Sequence, residues 1–170
     1  MGELVTEFGS IADYRMGGVE VIDDNPKNYV FSNIFDVAAR SKPYERVAVA
    51  KNFEYVIEAA RAEGTSAWYT CAHDEFVVAM DGEVTVEFVK LADPDAHVAP
   101  DSQGAHLLAG EPGGRKMGWV KLRRGHMALL PVGSAYRFAA PEPCCIILQS
   151  IDGPVTLHRW AEICQTKSLV

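Results

Sequence analysis

The sequence predicts a mainly β protein: a small closed antiparallel barrel over residues 65–157, with an N-terminal arm and helix before it and a short C-terminal helix after it. Three observations carry this. From Trp68 onward the chain breaks into short alternating segments punctuated by Gly and Pro, the pattern of a β domain. Within it, EFVVAMDGEVTVEFVKL sets Asp81-Gly82 between two β-rich runs, the strongest short hairpin signal, because a primed turn needs positive φ. The later runs MGWVKLRR, LRRGHMALLPVG, AYRFAA and CCIILQS are each about one barrel strand long.

Composition bounds the rest. The chain has 170 residues, 48% of them hydrophobic and 23% charged, which suits one globular domain with a real core. No run approaches the roughly 18–20 apolar residues of a spanning helix. The start, MGELVTEFGS, is acidic and polar, unlike a signal peptide, and Gly2 with Thr6 meets only a permissive acylation pattern. A net charge of −7 with no basic run beyond a few residues argues against a nucleic-acid partner. Cys71, Cys144, Cys145 and Cys164 match no zinc spacing, so reduced thiols in a cytoplasm are the expectation. Adjacent Cys144 and Cys145 point to opposite faces of a strand and are read as buried small hydrophobes rather than a redox pair.

Each element then has its own case. Residues 1–30 hold one β-like run, VEVI, before the turn-rich DDNPKN, and read as an arm that packs on another body. SNIFDVAARSKP predicts a short helix capped by Ser32 and ended before Pro43. NFEYVIEAARAEG, residues 52–64, predicts a second helix. Asn52 caps it, Glu54 and Arg61 suit the macrodipole, Phe53, Val56, Ile57 and Ala60 make an apolar face, and Gly64 stops it. In the Asp81-Gly82 hairpin Met80 pairs with Glu83. Glu75, Val77 and Ala79 then share a face with Val84, Val86 and Phe88, which points Glu75 into the barrel. Residues 92–116, with His97 and His106, form a long loop. The tail LHRWAEICQTKSL predicts a terminal helix docked through Trp160 and Ile163. The expected organisation is an arm over 1–64, a barrel over 65–157 and a tail over 158–170, within one domain.

The spacing of Glu75, Gly82, Gly125, Pro131-Val132-Gly133 and Tyr136 resembles the two motifs of the cupin superfamily, across the C-terminal two-thirds of the chain. The resemblance implies a double-stranded β-helix, or jelly-roll, barrel. In metal-binding cupins the first motif supplies two His and a Glu, and the second a third His. Carried over by position, the motif-one histidines fall on Tyr69 and Cys71, the Glu is kept as Glu75, and the motif-two His falls on Tyr136. The Asn that often closes the second motif falls on Ala140. Three of four ligand positions are therefore not histidine, whereas a mononuclear iron site needs about three strong ligands with open positions. His73, on the same strand face, leaves open a relocated Cys71/His73/Glu75 site, although three consecutive inward positions lie in a row. The other reading is a hydrogen-bonded polar cluster around Glu75. His126 takes the place of an acidic turn residue and reads as surface; His97, His106 and His158, in a loop or near the tail, are read as structural rather than functional. Trp68 faces away from the pocket and is a candidate for an interface or shared pocket, or for packing under the arm.

The segments VEVIDDNPKNYVFSN, FEYVIEAARAEGTSAW, AHDEFVVAMDGEV, GWVKLRRGHMALLPVGSAYRF and WAEIC, in that order, resemble the small subunit of hydroquinone 1,2-dioxygenases over most of the chain. That resemblance implies a heterotetramer with two of each subunit, Fe(II) bound by the larger one, and cleavage of the hydroquinone ring by O₂ to 4-hydroxymuconic semialdehyde in aromatic catabolism. This chain would hold no catalytic residue and would complete the partner's pocket. Two alternatives stand beside it: an independent metalloenzyme using Cys71, His73 and Glu75, with Tyr136 as a further candidate, and a metal-free small-molecule-binding cupin lined by Tyr69, Tyr136, Val77 and Phe88.

Overall fold

Side chains alternate between buried and more exposed along Tyr55–Ile57, Glu75–Ala79, Glu83–Phe88 and Tyr136–Ala140, and this period of two sets the barrel's inner face. The computed structural model describes residues 33–159 together with the backbone of 3–7 and 165–169. Strand β1 (Glu3–Glu7) comes first. Helix α1 (Ile34–Arg40) follows, capped by Asn33 rather than Ser32; the Asn33 side chain accepts from the Phe35 N–H at 3.1 Å. Asp36 in its first turn and Arg40 in its last complement the macrodipole.

The stretch 52–64 is not a helix. It completes a hairpin of β2 (Arg46–Asn52) and β3 (Tyr55–Thr65), turned through Phe53 at φ 54°. Val56, Glu58, Ala60 and Ala62 point one way and are buried, while Tyr55 and Ile57 point out and Ala59 lies under α1 with Val37, Val47 and Val49. Helix propensity in EAARAE is a matter of tenths of a kcal/mol per residue. Sheet pairing along nearly the whole of β3, with Glu58 delivered to a buried partner, overrides it. The barrel therefore begins at Arg46, not at residue 65.

The rest follows as β4 (Tyr69–Cys71), β5 (Glu75–Ala79), β6 (Glu83–Leu91), a 3-10 turn at Pro94–Ala96, β7 (Ala105–Leu107), β8 (Gly114–Arg123), β9 (Met127–Leu130), β10 (Ser134–Ile151), β11 (Thr156–Leu157) and β12 (Gln165–Leu169). AYRFAA and CCIILQS, expected as separate strands, are two halves of the 18-residue β10, irregular only between Ala140 and Cys144. Its first half pairs with β6 and β4, its second with β5 and β3. Two sheets thus share one strand: β8-β6-β10-β4-β7 and β9-β5-β10-β3-β2-β11. Their inner faces close on a single core, a cupin-type double-sheet barrel.

This topology corrects the hairpin. β5 and β6 do not pair with each other, and Met80 does not face Glu83 across a ladder; the Met80 N–H bonds the Cys145 carbonyl at 2.9 Å. Asp81-Gly82 carries the chain from one sheet to the other. The Asp81 carboxylate accepts the Cys145 N–H at 2.6 Å, and Gly82 sits at φ 58° against β10. Positive φ is required, as expected, but for a crossover between sheets. All six residues expected on the inward face are buried. The tail is not helical in 165–169: β12 pairs antiparallel with β1. Trp160, Ile163, Cys164 and VEVI lie outside the described residues.

A Cβ at position 82 would lie 2.5 Å from the Cys144 Cβ in a left-handed conformation. Gly82→Ala is expected to cost roughly 2–4 kcal/mol, combining backbone strain with overpacking. Gly64→Ala, at φ 68° with nothing within 4 Å of its Cβ, should cost about 1 kcal/mol from strain alone. Urea unfolding of the two variants checks both magnitudes.

Candidate functional site

Four strands aim polar side chains at one point inside the barrel. Arg46 enters from the start of β2, Glu58 from β3, Glu75 from the start of β5 and Tyr136 from β10, and all four are buried. The Arg46 guanidinium donates from Nε to Glu58 Oε2 at 2.5 Å, from Nη2 to Glu75 Oε1 at 2.6 Å and from Nη1 to Tyr136 Oη at 3.1 Å. The Tyr136 hydroxyl donates to Glu75 Oε2 in a short hydrogen bond. Thr156 on β11 donates to Glu58 Oε1 at 2.7 Å. Tyr69 lies beside the guanidinium, its ring centroid 5.8 Å away, and stacks on Tyr136 at 5.7 Å. Each carboxylate oxygen of the cluster therefore has a partner, which is the condition for burying charge.

One cation serving two carboxylates sets their protonation apart. Burial opposes the charge of Glu75, but the attraction and hydrogen bonds of Arg46 outweigh it and hold this carboxyl below its ordinary range. Burial wins at Glu58 and pushes its carboxyl up against the pull of Arg46 and Thr156. Burial and then the charge of Glu75 push the Tyr136 hydroxyl well up, so it remains a donor. Burial disfavours the guanidinium charge, yet Glu75 and Glu58 more than restore it.

Of the residues singled out in the sequence, Tyr69, Cys71, Glu75 and Tyr136 do meet in the barrel interior. His73 stands at the rim. Its Nε2 accepts the Gly104 N–H at 3.1 Å and lies 3.7 Å from Cys71 Sγ. A ring nitrogen that accepts from a backbone N–H carries no proton, so Nδ1 is protonated and donates to the Asp74 carbonyl at 3.0 Å. His73 thus fastens the Gly104 loop to the β4–β5 corner. Trp68 faces away from the core as alternation implies, but it is only 7% exposed. Its indole N–H donates to Glu111 at 3.0 Å and Arg137 lies over its ring at 4.5 Å, so this chain itself occupies the surface that Trp68 was expected to offer. Cys144 faces the core and Cys145 faces α1, both reduced, with burial pushing the Cys145 thiol up to about 12.

Arg46 and Glu58 are the members that sequence reading missed. Glu58 was hidden in the misread helix. A period of two through Val56, Glu58, Ala60 and Ala62 is the pattern that exposes it, and RVAVAKN is a strand headed by Arg46.

The donor set does not fit a metal ion. Both oxygens of Glu75 are taken, one by a guanidinium 2.6 Å away that would repel a second cation. Burial, reinforced by Glu75, keeps the Cys71 thiol protonated, and the free lone pair of His73 is spent on Gly104. Among the described residues no three His, Cys, Asp or Glu side chains converge as a ligand set. The interior also holds an aromatic trio, Tyr69, Tyr136 and Phe138, with Val77 and Phe88 in the same core. A cleft of about 250 Å³ opens outside this cluster, between Cys71 and the Pro94–Pro100 loop.

No protein-family model matches the chain, and no curated protein does. Solved structures do. Hydroquinone 1,2-dioxygenase from Sphingomonas sp. TTNP3 with 4-hydroxybenzoate bound contains a chain 65% identical, over 96% of this chain and 99% of that one, with a TM-score of 0.81. Hydroquinone 1,2-dioxygenase PnpCD in complex with Cd²⁺ and 4-hydroxybenzonitrile contains one 53% identical, over 89% of this chain and 91% of that one, with a TM-score of 0.77. PnpCD in complex with Fe³⁺ also contains a chain only 9% identical, matched over 81% of this chain and 37% of that one, with a TM-score of 0.55; this is a likeness of fold alone.

Arg46→Met leaves two carboxylates buried without a cation and is expected to cost about 3–5 kcal/mol at pH 7. Without Arg46 burial raises both folded-state values, so stability of this variant should climb as the pH falls from about 7 toward 5. Glu75 in the native chain behaves oppositely. Its folded value is depressed, so its contribution is full above the ordinary 4.5 and is lost as the pH falls through the lower folded value. Urea unfolding of the variant between about pH 7 and 5, and of the native chain below the ordinary 4.5, checks the two slopes, and adding Glu58→Gln and Glu75→Gln to Arg46→Met should recover most of the loss.

Proposed function

This chain belongs to the hydroquinone 1,2-dioxygenase family, and on that premise we propose that it is the small, non-metal-binding subunit of the enzyme. The reaction is cleavage of the hydroquinone ring by O₂ to 4-hydroxymuconic semialdehyde, with Fe(II) held by a larger cupin-like partner in a heterotetramer of two subunits of each kind. One observation carries the assignment: the guanidinium of Arg46 takes Glu75, the only ligand-type residue left at the four motif positions apart from a protonated thiol. A buried cation paired to both carboxylates, beside an aromatic trio, supports the reading that this barrel does not carry the ring chemistry.

Two further observations support a subunit role. The enzyme whose structures match has both a chain of this length and a longer, divergent chain of like fold, about twice as long. Among the described residues, α1 covers the outer face of the sheet β9-β5-β10-β3-β2-β11 only at one end, over Val47, Val49 and Ala59. Beyond it Tyr55, Ile57, Phe76, Met127 and Leu129 stand exposed in neighbouring register, an apolar patch of the kind that on soluble proteins marks an interface. This chain would then shape and cover the partner's pocket and hold no catalytic residue. The barrel site residues Tyr69, Cys71, Glu75 and Tyr136, with His73 at the rim, would be a remnant given over to stability. No described helix is long and apolar enough to cross a membrane, and the proposed setting is the cytoplasm.

The two subunits expressed singly and together, supplied with Fe(II) and assayed with hydroquinone under air, test this. Only the pair should turn over, and metal analysis should place the iron in the longer chain. Robust ring cleavage by this chain alone would overturn the assignment, as would about one equivalent of iron bound to it and lost in Glu75→Gln.

A further inference from the structure

The chain is acidic overall, at −7, yet one strand is not. Between residues 115 and 124 stand Arg115, Lys116, Lys121, Arg123 and Arg124, five of its 16 lysines and arginines, with no acidic residue among them. They line β8, which pairs with β6 along one edge and with no described strand along the other. Glu83 on β6 serves Lys121 and Arg123 at 2.8 and 2.9 Å. The other end has no such relief. The register sets Lys90 directly opposite Arg115, with Lys116 next along, and among the described residues none of the three, nor Arg124, has a carboxylate within ion-pair distance. Like charges directly opposite on a sheet are destabilising, so the isolated fold carries a repulsion that an anion would relieve.

The same strand is apolar where it is not basic. Met117, Trp119 and Val120 are 50%, 61% and 39% exposed, and of the residues of β8 only Leu122 is buried. Val120 pairs with buried Val86, on the inward side, and is nevertheless open to solvent, because the barrel wall ends at this edge. Exposed tryptophan, methionine and arginine around a free strand edge is the composition of an interface centre, and free N–H and C=O groups along it are a template for another strand.

We infer that the free edge of β8 is the docking site for an acidic, extended segment of the longer subunit, which adds as a strand beside residues 114–121, brings its carboxylates to Lys90, Arg115 and Lys116, and covers Trp119. The inference rests on the two-subunit reading above. Charge chooses the occupant. Two copies of β8 edge to edge would add further like charge to Lys90, Arg115 and Lys116, which have no carboxylate of their own among the described residues, so charge favours an unlike, acidic partner over a second copy of this chain. The uncharged face of Tyr55, Ile57, Phe76, Met127 and Leu129 imposes no such restriction.

The test uses the pair of subunits. Arg115→Glu/Lys116→Glu and, separately, Trp119→Ser are compared with the native chain, and Arg40→Glu/Lys42→Glu serves as a control with the same change in net charge placed at α1. Urea unfolding of each lone chain establishes that it is folded; Arg115→Glu removes the opposition to Lys90 and should not lower stability. Affinity for the longer subunit is measured across salt concentrations, and hydrogen exchange is followed at residues 114–121. The β8 charge variant should bind at least tenfold more weakly with a shallower salt dependence, Trp119→Ser should also weaken binding, the control should bind almost as the native chain does, and alternate β8 amides should gain protection only in the complex. Unchanged binding by the β8 variants overturns the inference while leaving the subunit role intact. So do β8 amides already protected in the lone chain, which would mean that another part of this chain covers the edge. A native chain with no affinity for the longer subunit overturns the two-subunit reading itself, and this inference with it.

Discussion

The guanidinium of Arg46, clamped between the carboxylates of Glu58 and Glu75, is the interaction on which the rest of this structure depends. Two buried acids are tolerable only beside a charge of opposite sign, and arginine is the residue that keeps its charge under burial while presenting several donors in a fixed fork. The three residues lie on β2, β3 and β5, Tyr136 adds β10 and Thr156 adds β11, so one polar cluster ties five strands of the barrel together. An apolar core of equal volume could be as stable. What the cluster adds is register: a slip of one residue in β2, β3 or β5 would turn a charged side chain outward and strand its partners.

The second constraint is β10, whose two halves belong to different sheets. Strands β3, β4, β5 and β6 pair with it directly and the others build out from these, and the crossover at Asp81-Gly82 is pressed against Cys144 and Cys145, where β10 changes sheets. Its first half brings Tyr136 and Phe138 to the interior, where they pack with Tyr69. Where other barrels of this architecture enclose a ligand, this one holds an aromatic trio beside a buried, ion-paired cluster.

How much of this was legible follows from which interactions are local. Alternation and turn residues are local, so the barrel, the inward face of Val77, Ala79, Val84, Val86 and Phe88, and the burial of Glu75 could all be read from the chain. The stretch 52–64 was not, because Phe53, Val56, Ile57 and Ala60 satisfy a helical period while Val56, Glu58, Ala60 and Ala62 satisfy a strand period. A glutamate in the second set argues for solvent until its buried partner is known, and that partner, Arg46, is fixed by the fold rather than by spacing. Asp-Gly misled for a related reason. Its chemistry specifies a backbone conformation, positive φ at Gly82, and two different topologies make use of it. The resemblance that named the family reached further than the residues did, because order along the chain survives where individual ligands have gone.

A side-chain cation at the position where the cupin resemblance implies a metal also changes what the fold is coupled to. A metal-ligand set must lose protons to bind, so folding then depends on metal supply and on pH through several groups at once. Arginine brings its charge covalently and keeps it at any pH the protein meets. Under the proposed division of labour this chain can fold to completion before iron reaches its partner. Its contribution to the enzyme is then a preformed surface, with an uncharged apolar sheet on one side and a cationic strand edge elsewhere. Rigid presentation of such a surface lowers the ordering cost of association. The cluster around Arg46, remote from any chemistry, would serve catalysis by keeping that surface in one shape.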